Sequence, residues 1–428
     1  MINRNRIVYL LVVFLAMANV VQAQYGQYGT NGQNSPYTRY GFGQLSDQAM
    51  GANKAMGGIG VGLRNRAQIN AINPASYSAV DSMTFLFDGG ITLQNTNFNE
   101  NGIRKNTQNS SFDYLAMQFR LIKKMGITLG FLPYSNIGYN FSTSETLTNA
   151  GDYENITSIR SYYGEGGLSQ VFVGLGYEIF KDFSLGINTS YLYGNIRHTI
   201  ISSFSQTTAN STERIYDADI YSYKLDLGFQ YSYKLNKKWD VTVGGIVSLG
   251  HNINSDAKIV NATENNTTSI TVADTTKIKN AFQLPYCYGG GLTFTYDKRL
   301  TLGFDYTIQK YGSTKFFGEN NLLCDRSKYA FGIDYLPNPY SRNYLNRIKY
   351  KAGAYYAKPY ALVDGQPGAR EYGITAGFSL PIGKSLINIS GQYIKISPKV
   401  NGLLKENRLG ICVGLTFNEA WFKKWKME

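Results

Sequence analysis

Only two histidines, His198 and His251, and three cysteines, Cys287, Cys324 and Cys412, are available for nucleophilic or metal-assisted chemistry. A barrel phospholipase needs a His and a Ser held by hydrogen bonds near the outer rim. His198 with Ser202 or Ser203 meets that by spacing, but a histidine near the outer end of a strand reads more simply as polar surface. No carboxylate or cysteine stands at metal-ligand spacing from either histidine. The cysteines are odd in number and widely spaced, so they are expected to be free thiols rather than a disulfide framework. Gly57-Gly58-Ile59-Gly60-Val61-Gly62 has the composition of a phosphate loop, yet no Gly-Lys-Ser or Gly-Lys-Thr follows it. The expectation is a protein that is not an enzyme and has no catalytic residue, metal or cofactor.

The remaining candidates are charges on the water-facing side of amphipathic strands: Arg120, Glu178, Lys224, Asp226, Asp305, Asp334, Lys349 and Lys351. They are expected to pair across a lumen or with whatever fills it, and a minority is left to hold a ligand carboxylate. The strands that carry them set this expectation. From Tyr221 to Leu235 the chain alternates without a break: Tyr, Tyr, Leu, Leu, Phe, Tyr, Tyr and Leu on one side, and Ser222, Lys224, Asp226, Gly228, Gln230, Ser232 and Lys234 on the other. A bilayer demands such a face, because an outward Lys or Arg at mid-depth costs about 2–4 kcal/mol. Leu227→Arg should therefore impair assembly far more than Gly228→Ser.

The pattern recurs in Met83–Leu93, Leu115–Leu121, Ile127–Phe131, Val171–Ile179 and Phe183–Tyr193. It returns in Trp239–Leu249, Phe282–Tyr296, Leu300–Ile308 and Tyr329–Tyr335, then in Ile348–Tyr356, Tyr372–Leu380, Ile387–Tyr393 and Leu409–Phe417. That is about 14 strands, an even number as bacterial barrels require. Short charged turns fall at Lys123-Lys124, Lys181-Asp182, Asn236–Lys238, Asp297–Arg299 and Ile382–Lys384, with a longer one at Pro337–Arg347. Between them lie long polar stretches, among them Ser203–Arg214 and Asn252–Lys279. Ile156–Tyr163 is assigned by parity to an outer loop.

Arg4 and Arg6, the apolar run Ile7–Val21 and Val21-Gln22-Ala23 form a secretory signal peptide over 1–23. After it no run is apolar enough for a spanning helix, and mean hydropathy is negative. The expected fold class is all-β: an antiparallel transmembrane outer-membrane barrel over 82–428 in a Gram-negative cell, with 24–81 as an N-terminal hatch. A barrel that wide needs a filling. The net charge of +13 suits lipid headgroups and lipopolysaccharide, and no nucleic-acid partner is expected.

Ala55–Gly62 followed by Asn73-Pro74-Ala75-Ser76 resembles the hatch of the long-chain fatty acid outer-membrane transporter (FadL-like) family. Gly126–Tyr134 followed by Gly138-Tyr139 resembles its third strand, although Tyr134-Ser135 stands where the transporters usually have Phe-Gly. Ser35–Gly43 and a C-terminus that overruns its last strand as Asn418–Lys424 resemble a version common in Bacteroidota. The resemblance implies uptake of a hydrophobic, fatty-acid-like molecule through a hatch-plugged lumen. Gly57, Gly58, Asn73, Pro74, Ala75 and Ser76 would form the gate, packed close to a kink at Pro133 and Gly138 that opens the wall sideways; the plainer alternative has Pro133 end the third strand at the outer rim. The family also contains barrels of type IX secretion and of outer-membrane assembly machinery. A structural, partner-binding barrel with envelope protein partners is therefore the alternative function.

Overall fold

The computed structural model describes residues 35–100, 102–147, 156–206, 208–265, 267–268, 270–398 and 404–420. The expected signal peptide, residues 24–34 of the expected hatch and Trp421–Lys424 lie outside the described residues.

The alternation produces a closed antiparallel barrel of 14 strands. In chain order these are β1 Thr84–Glu100, β2 Ile103–Ile122, β3 Met125–Leu147, β4 Ile156–Phe180, β5 Phe183–Phe204 and β6 Ser211–Lys234. Next come β7, Trp239–Ser248 resuming as Ser255–Glu264, and β8, Thr271–Ile278 resuming as Cys287–Tyr296. The circuit continues through β9 Leu300–Gln309, β10 Arg326–Tyr335, β11 Lys349–Ala357, β12 Arg370–Ile382, β13 Ser385–Ser397 and β14 Lys405–Ala420. β1 and β14 close it, in register from Thr84↔Ala420 to Asn99↔Lys405.

Aromatic residues mark both borders of the lipid-facing band, as interfacial girdles do. Tyr306, Tyr329, Tyr356 and Tyr372 line up across β9–β12 toward the loop end. Trp239 faces Tyr296, and Tyr335, Tyr350 and Phe378 form a row toward the short-turn end. By the general rule for these barrels, short turns are periplasmic.

The wall is uneven in height. β4 has 25 residues and β11 has 9, against about 9–11 needed to cross a bilayer. The expected loop Ile156–Tyr163 is the loop-end part of β4, paired throughout with β3 and from Ser158 onward with β5. The expected loop Asn252–Lys279 contains wall as well, in the ladder Ala257↔Ile278 to Glu264↔Thr271. Ser203–Arg214 likewise includes the start of β6. Above the membrane both faces of a strand meet polar surroundings, so the alternation that identifies the spans disappears.

Residues 35–81 precede the wall and pack on its inner face. Short 3-10 turns at Pro36–Arg39, Gly51–Met56 and Pro74–Ala79 and a two-residue strand, Gln44–Leu45, are their regular structure. Every residue of Gly51–Met56 and Pro74–Ala79 is buried.

Candidate functional site

The Asn73–Ser76 motif lies on glycines. Gly126, Gly176, Gly186 and Gly228 are paired in register across β3, β4, β5 and β6 and face inward. A Cβ at Gly126 would lie 2.0 Å from the Tyr77 carbonyl oxygen, at Gly186 2.3 Å from the Pro74 carbonyl carbon, and at Gly228 2.2 Å from Asn73 Oδ1. A second row, Gly303, Gly332 and Gly353 on β9–β11, takes Met56, Gly57 and Ile59 in the same way. The N-terminal segment, by its backbone and by the Asn73 and Ile59 side chains, therefore occupies the space that wall side chains would otherwise fill. The signal was present in the sequence as inward-register glycines on neighbouring strands, but cross-strand rows become visible only once register is known.

Side chains then fix the segment. Asn73 Oδ1 accepts from the Ala75 amide at 3.1 Å, while its Nδ2 donates to the carbonyls of Val61 at 2.7 Å and Phe229 at 3.0 Å. Pro74 follows as the first residue of the turn, where a missing N–H costs nothing. Ser76 Oγ donates to the Asn73 carbonyl at 2.7 Å. Gly57, at φ 68°, donates its amide to Thr375 Oγ1 at 2.9 Å, and Gly58, at φ 75°, continues the left-handed pair. The Asp305 carboxylate accepts the Gly60 and Val61 amides at 2.6 and 2.8 Å. The Gly run is thus a carboxylate-binding loop whose anion is the barrel's own Asp305.

The inward charges mostly pair with neighbours or with this segment. Lys224 pairs with Asp226, Lys351 with Asp334 at 2.5 Å, and Glu178 with Lys124 at 3.4 Å, while Arg120 donates to the Val80 carbonyl. Lys54 of the segment reaches Asp113 at 2.7 Å. Burial disfavours the Lys54 charge, but the Asp113 carboxylate outweighs it and holds the ammonium above the ordinary lysine range.

The wall is split beside Pro133. The ladder between β2 and β3 ends at Leu115↔Phe131, yet β3 runs on to Leu147, so Pro133 does not end the strand. Tyr134 bulges out between the pairs Pro133↔Ser169 and Ser135↔Leu168. From there the second edge of β3 is taken by the N-terminal segment. Leu45 and Gln44 pair with Ser135 and Asn136, the Ser46 amide donates to the Tyr134 carbonyl at 2.9 Å, and Gln48 Nε2 donates to the Pro133 carbonyl at 3.0 Å. Gly138 accepts the Ser35 amide at 2.9 Å. Residues 35–48 are therefore the neighbours of Pro133 and Gly138. Asn73–Ser76, expected beside them, sits instead on β4–β6 because the glycine row is there.

Behind the split lies a luminal cavity of about 280 Å³. Its lining mixes Leu132, Phe172 and Ile246 with Gln170, Asn188, Lys224, Asp226 and Lys328. Toward the loop end the lumen is filled. The β9–β10 connection folds inward and sets Phe316 and Phe317 against Phe282 at ring distances of 5.3 and 4.8 Å, with Phe42 5.4 Å from Phe316. Tyr311 and Tyr360 extend this core, 4.8 Å apart. His198 belongs to it: buried, its Nδ1 2.7 Å from the Tyr139 hydroxyl, it is not the polar rim group its position implies. His251 stacks on Tyr223 at 4.2 Å.

The fold is that of outer-membrane β-barrels of 14 antiparallel strands. It is similar to the CymD monoaromatic hydrocarbon channel (TM-score 0.60, 14% identity, covering 89% of this chain and 100% of that one). It is likewise similar to the toluene transporter TbuX of Ralstonia pickettii (0.59, 12%, 88% and 99%) and to a FadL homologue of Pseudomonas aeruginosa (0.58, 12%, 88% and 99%). No curated protein matches the chain. The family model described as BamG matches residues 1–428, and the chain belongs to the BamG family.

Proposed function

We propose that this chain is a sealed outer-membrane barrel that works by binding other envelope proteins, as a structural member of an outer-membrane assembly. The observation that carries the reading is the filled loop end. Phe42, Phe282, Phe316, Phe317, Tyr311 and Tyr360 are each under a tenth exposed and occupy the lumen where a molecule arriving from outside would have to pass. A buried aromatic contributes about 1.5–3 kcal/mol, so clearing this core is expensive. In this reading the segment 24–81 is a fixed hatch rather than a moving one, delivered with the barrel after cleavage of residues 1–23. Purification in mild detergent followed by mass spectrometry of proteins and lipids tests it: a stoichiometric protein complex is expected, and an isolated monomer carrying an apolar ligand overturns it.

A second reading has its own observation. The split beside Pro133 opens toward a cavity large enough for a small apolar molecule, which supports passage of a hydrophobic compound through the wall after residues 35–48 leave the β3 edge. The proteins with this fold named above are hydrocarbon channels and transporters. A copurified apolar ligand beside Leu132 and Phe172 favours this reading.

A further inference from the structure

We propose that the short-turn face around residues 337–347 is the docking surface for an acidic protein on the periplasmic side of the membrane. This rests on the partner-binding reading and adds where the partner sits and what it carries.

Strand reversal does not account for this connection. The neighbouring strands β8–β9 and β12–β13 turn back through Asp297–Arg299 and Gly383-Lys384 alone, whereas β10 and β11 are joined by everything from Leu336 to Ile348. A hairpin needs only about two to five residues. Nor is the excess slack. The Tyr340 amide donates to Asn338 Oδ1 at 3.0 Å, the Asn338 amide to the Asn346 carbonyl at 2.9 Å, Asn346 Nδ2 to Ser341 Oγ at 3.2 Å, and the Tyr344 hydroxyl to the Pro381 carbonyl at 3.3 Å.

This ordered loop presents apolar groups to solvent. Tyr340 is 93% exposed and Leu345 59%, and the Arg347 guanidinium lies 5.3 Å above the Tyr344 ring. Pre-organised Tyr and Arg side chains are the composition of interface anchors, because little conformational entropy remains to be lost on contact. Membrane contact is already provided on these strands by the Tyr335–Tyr350 row, and the loop begins beyond it.

Charge selects the partner. Residues 336–348 contain Arg342 and Arg347 and no carboxylate. Lys298 and Arg299 adjoin them, since the Leu336 amide donates to the Arg299 carbonyl at 2.7 Å, and Lys384 lies in the turn just after Pro381, whose carbonyl Tyr344 touches. The nearby Asp297 faces Arg299 at 3.5 Å. A surface with this sign steers and holds an acidic face.

The test places a photo-crosslinking amino acid at Tyr340 of the tagged full-length chain in the cells that make it, with Ile374 on the lipid face as control. The expected result is one discrete protein adduct from position 340, absent from 374, to an acidic protein. Its yield should fall about tenfold in Arg342→Glu with Arg347→Glu, and likewise when membranes from the unaltered chain are irradiated at raised salt. The salt arm reads the proposal even where the charge variant fails to accumulate. A complex that copurifies undiminished from the charge variant, with no adduct at 340, overturns the surface while leaving the partner-binding reading intact. No copurifying protein from any form overturns both, and adducts to phospholipid alone reassign the loop to the membrane.

Discussion

Lys54, in the N-terminal segment, and Asp113, at the irregularity of β2, form an ion pair of 2.7 Å with both side chains less than a tenth exposed. β2 shifts register between the pairs Gly90↔Tyr114 and Ile91↔Phe112, and Asp113 is the residue left over. The bulge re-aims one carboxylate into the lumen, where Thr92 Oγ1 also donates to it at 2.5 Å.

Lys54→Met should destabilise the packed state by about 3–5 kcal/mol, because it leaves a buried carboxylate without its partner. Lys54→Met with Asp113→Leu should recover most of the loss. The midpoint of heat-modifiable migration on gels reads both. The pH dependence follows from the raised lysine value: a group whose folded pKa lies above its unfolded one contributes fully below the unfolded value and loses its contribution only as pH rises through the folded one. The attachment should therefore not weaken through loss of the lysine proton between about pH 5 and 9.

Leu227→Arg and Gly228→Ser should both be harmful, by different routes. Leu227 is lipid-facing and 40% exposed, so arginine there costs insertion about 2–4 kcal/mol. Gly228→Ser, expected from sequence to be mild, meets Asn73 Oδ1. Its barrel should insert normally but leave residues 60–78 open to protease from the short-turn side, as limited proteolysis of purified barrel will show.

Asp305→Ala removes the acceptor of two buried amides, worth about 1–3 kcal/mol. Hydrogen exchange at Gly60 and Val61 should accelerate while the β9 and β10 ladders stay protected. Equal acceleration in the wall would show that Asp305 holds the barrel instead.

Phe316→Ala with Phe317→Ala should convert a barrel without measurable conductance in planar bilayers into one with frequent openings. An unaltered chain that already conducts would remove the sealed reading. Under the passage reading, Pro133→Val lowers uptake of an apolar tracer at unchanged barrel level; under the partner-binding reading it changes no growth or complex yield.

The spans were legible because lipid imposes a rule on every second residue from Tyr221 to Leu235. Ile156–Tyr163 was not, since the same strand has left the bilayer by then and nothing forbids a polar residue on either face. Phe316 and Phe317 gave a local signal, an aromatic pair inside a polar connection, but only tertiary packing shows that they turn inward. Composition marked residues 24–81 as a hatch, and the resemblance rested on Ala55–Gly62 and Asn73–Ser76, while the contacts of Gln44 and Gln48 with β3 could not be read, because a two-residue strand carries no periodicity.

The row Gly126, Gly176, Gly186 and Gly228 has one more consequence, for inheritance. Those four positions accept no methyl group while Asn73–Tyr77 lies over them, so wall and filling cannot drift independently. A chimera that takes residues 82–428 from one relative and 24–81 from another is compatible only if both parents keep glycine at the same level of the same strands.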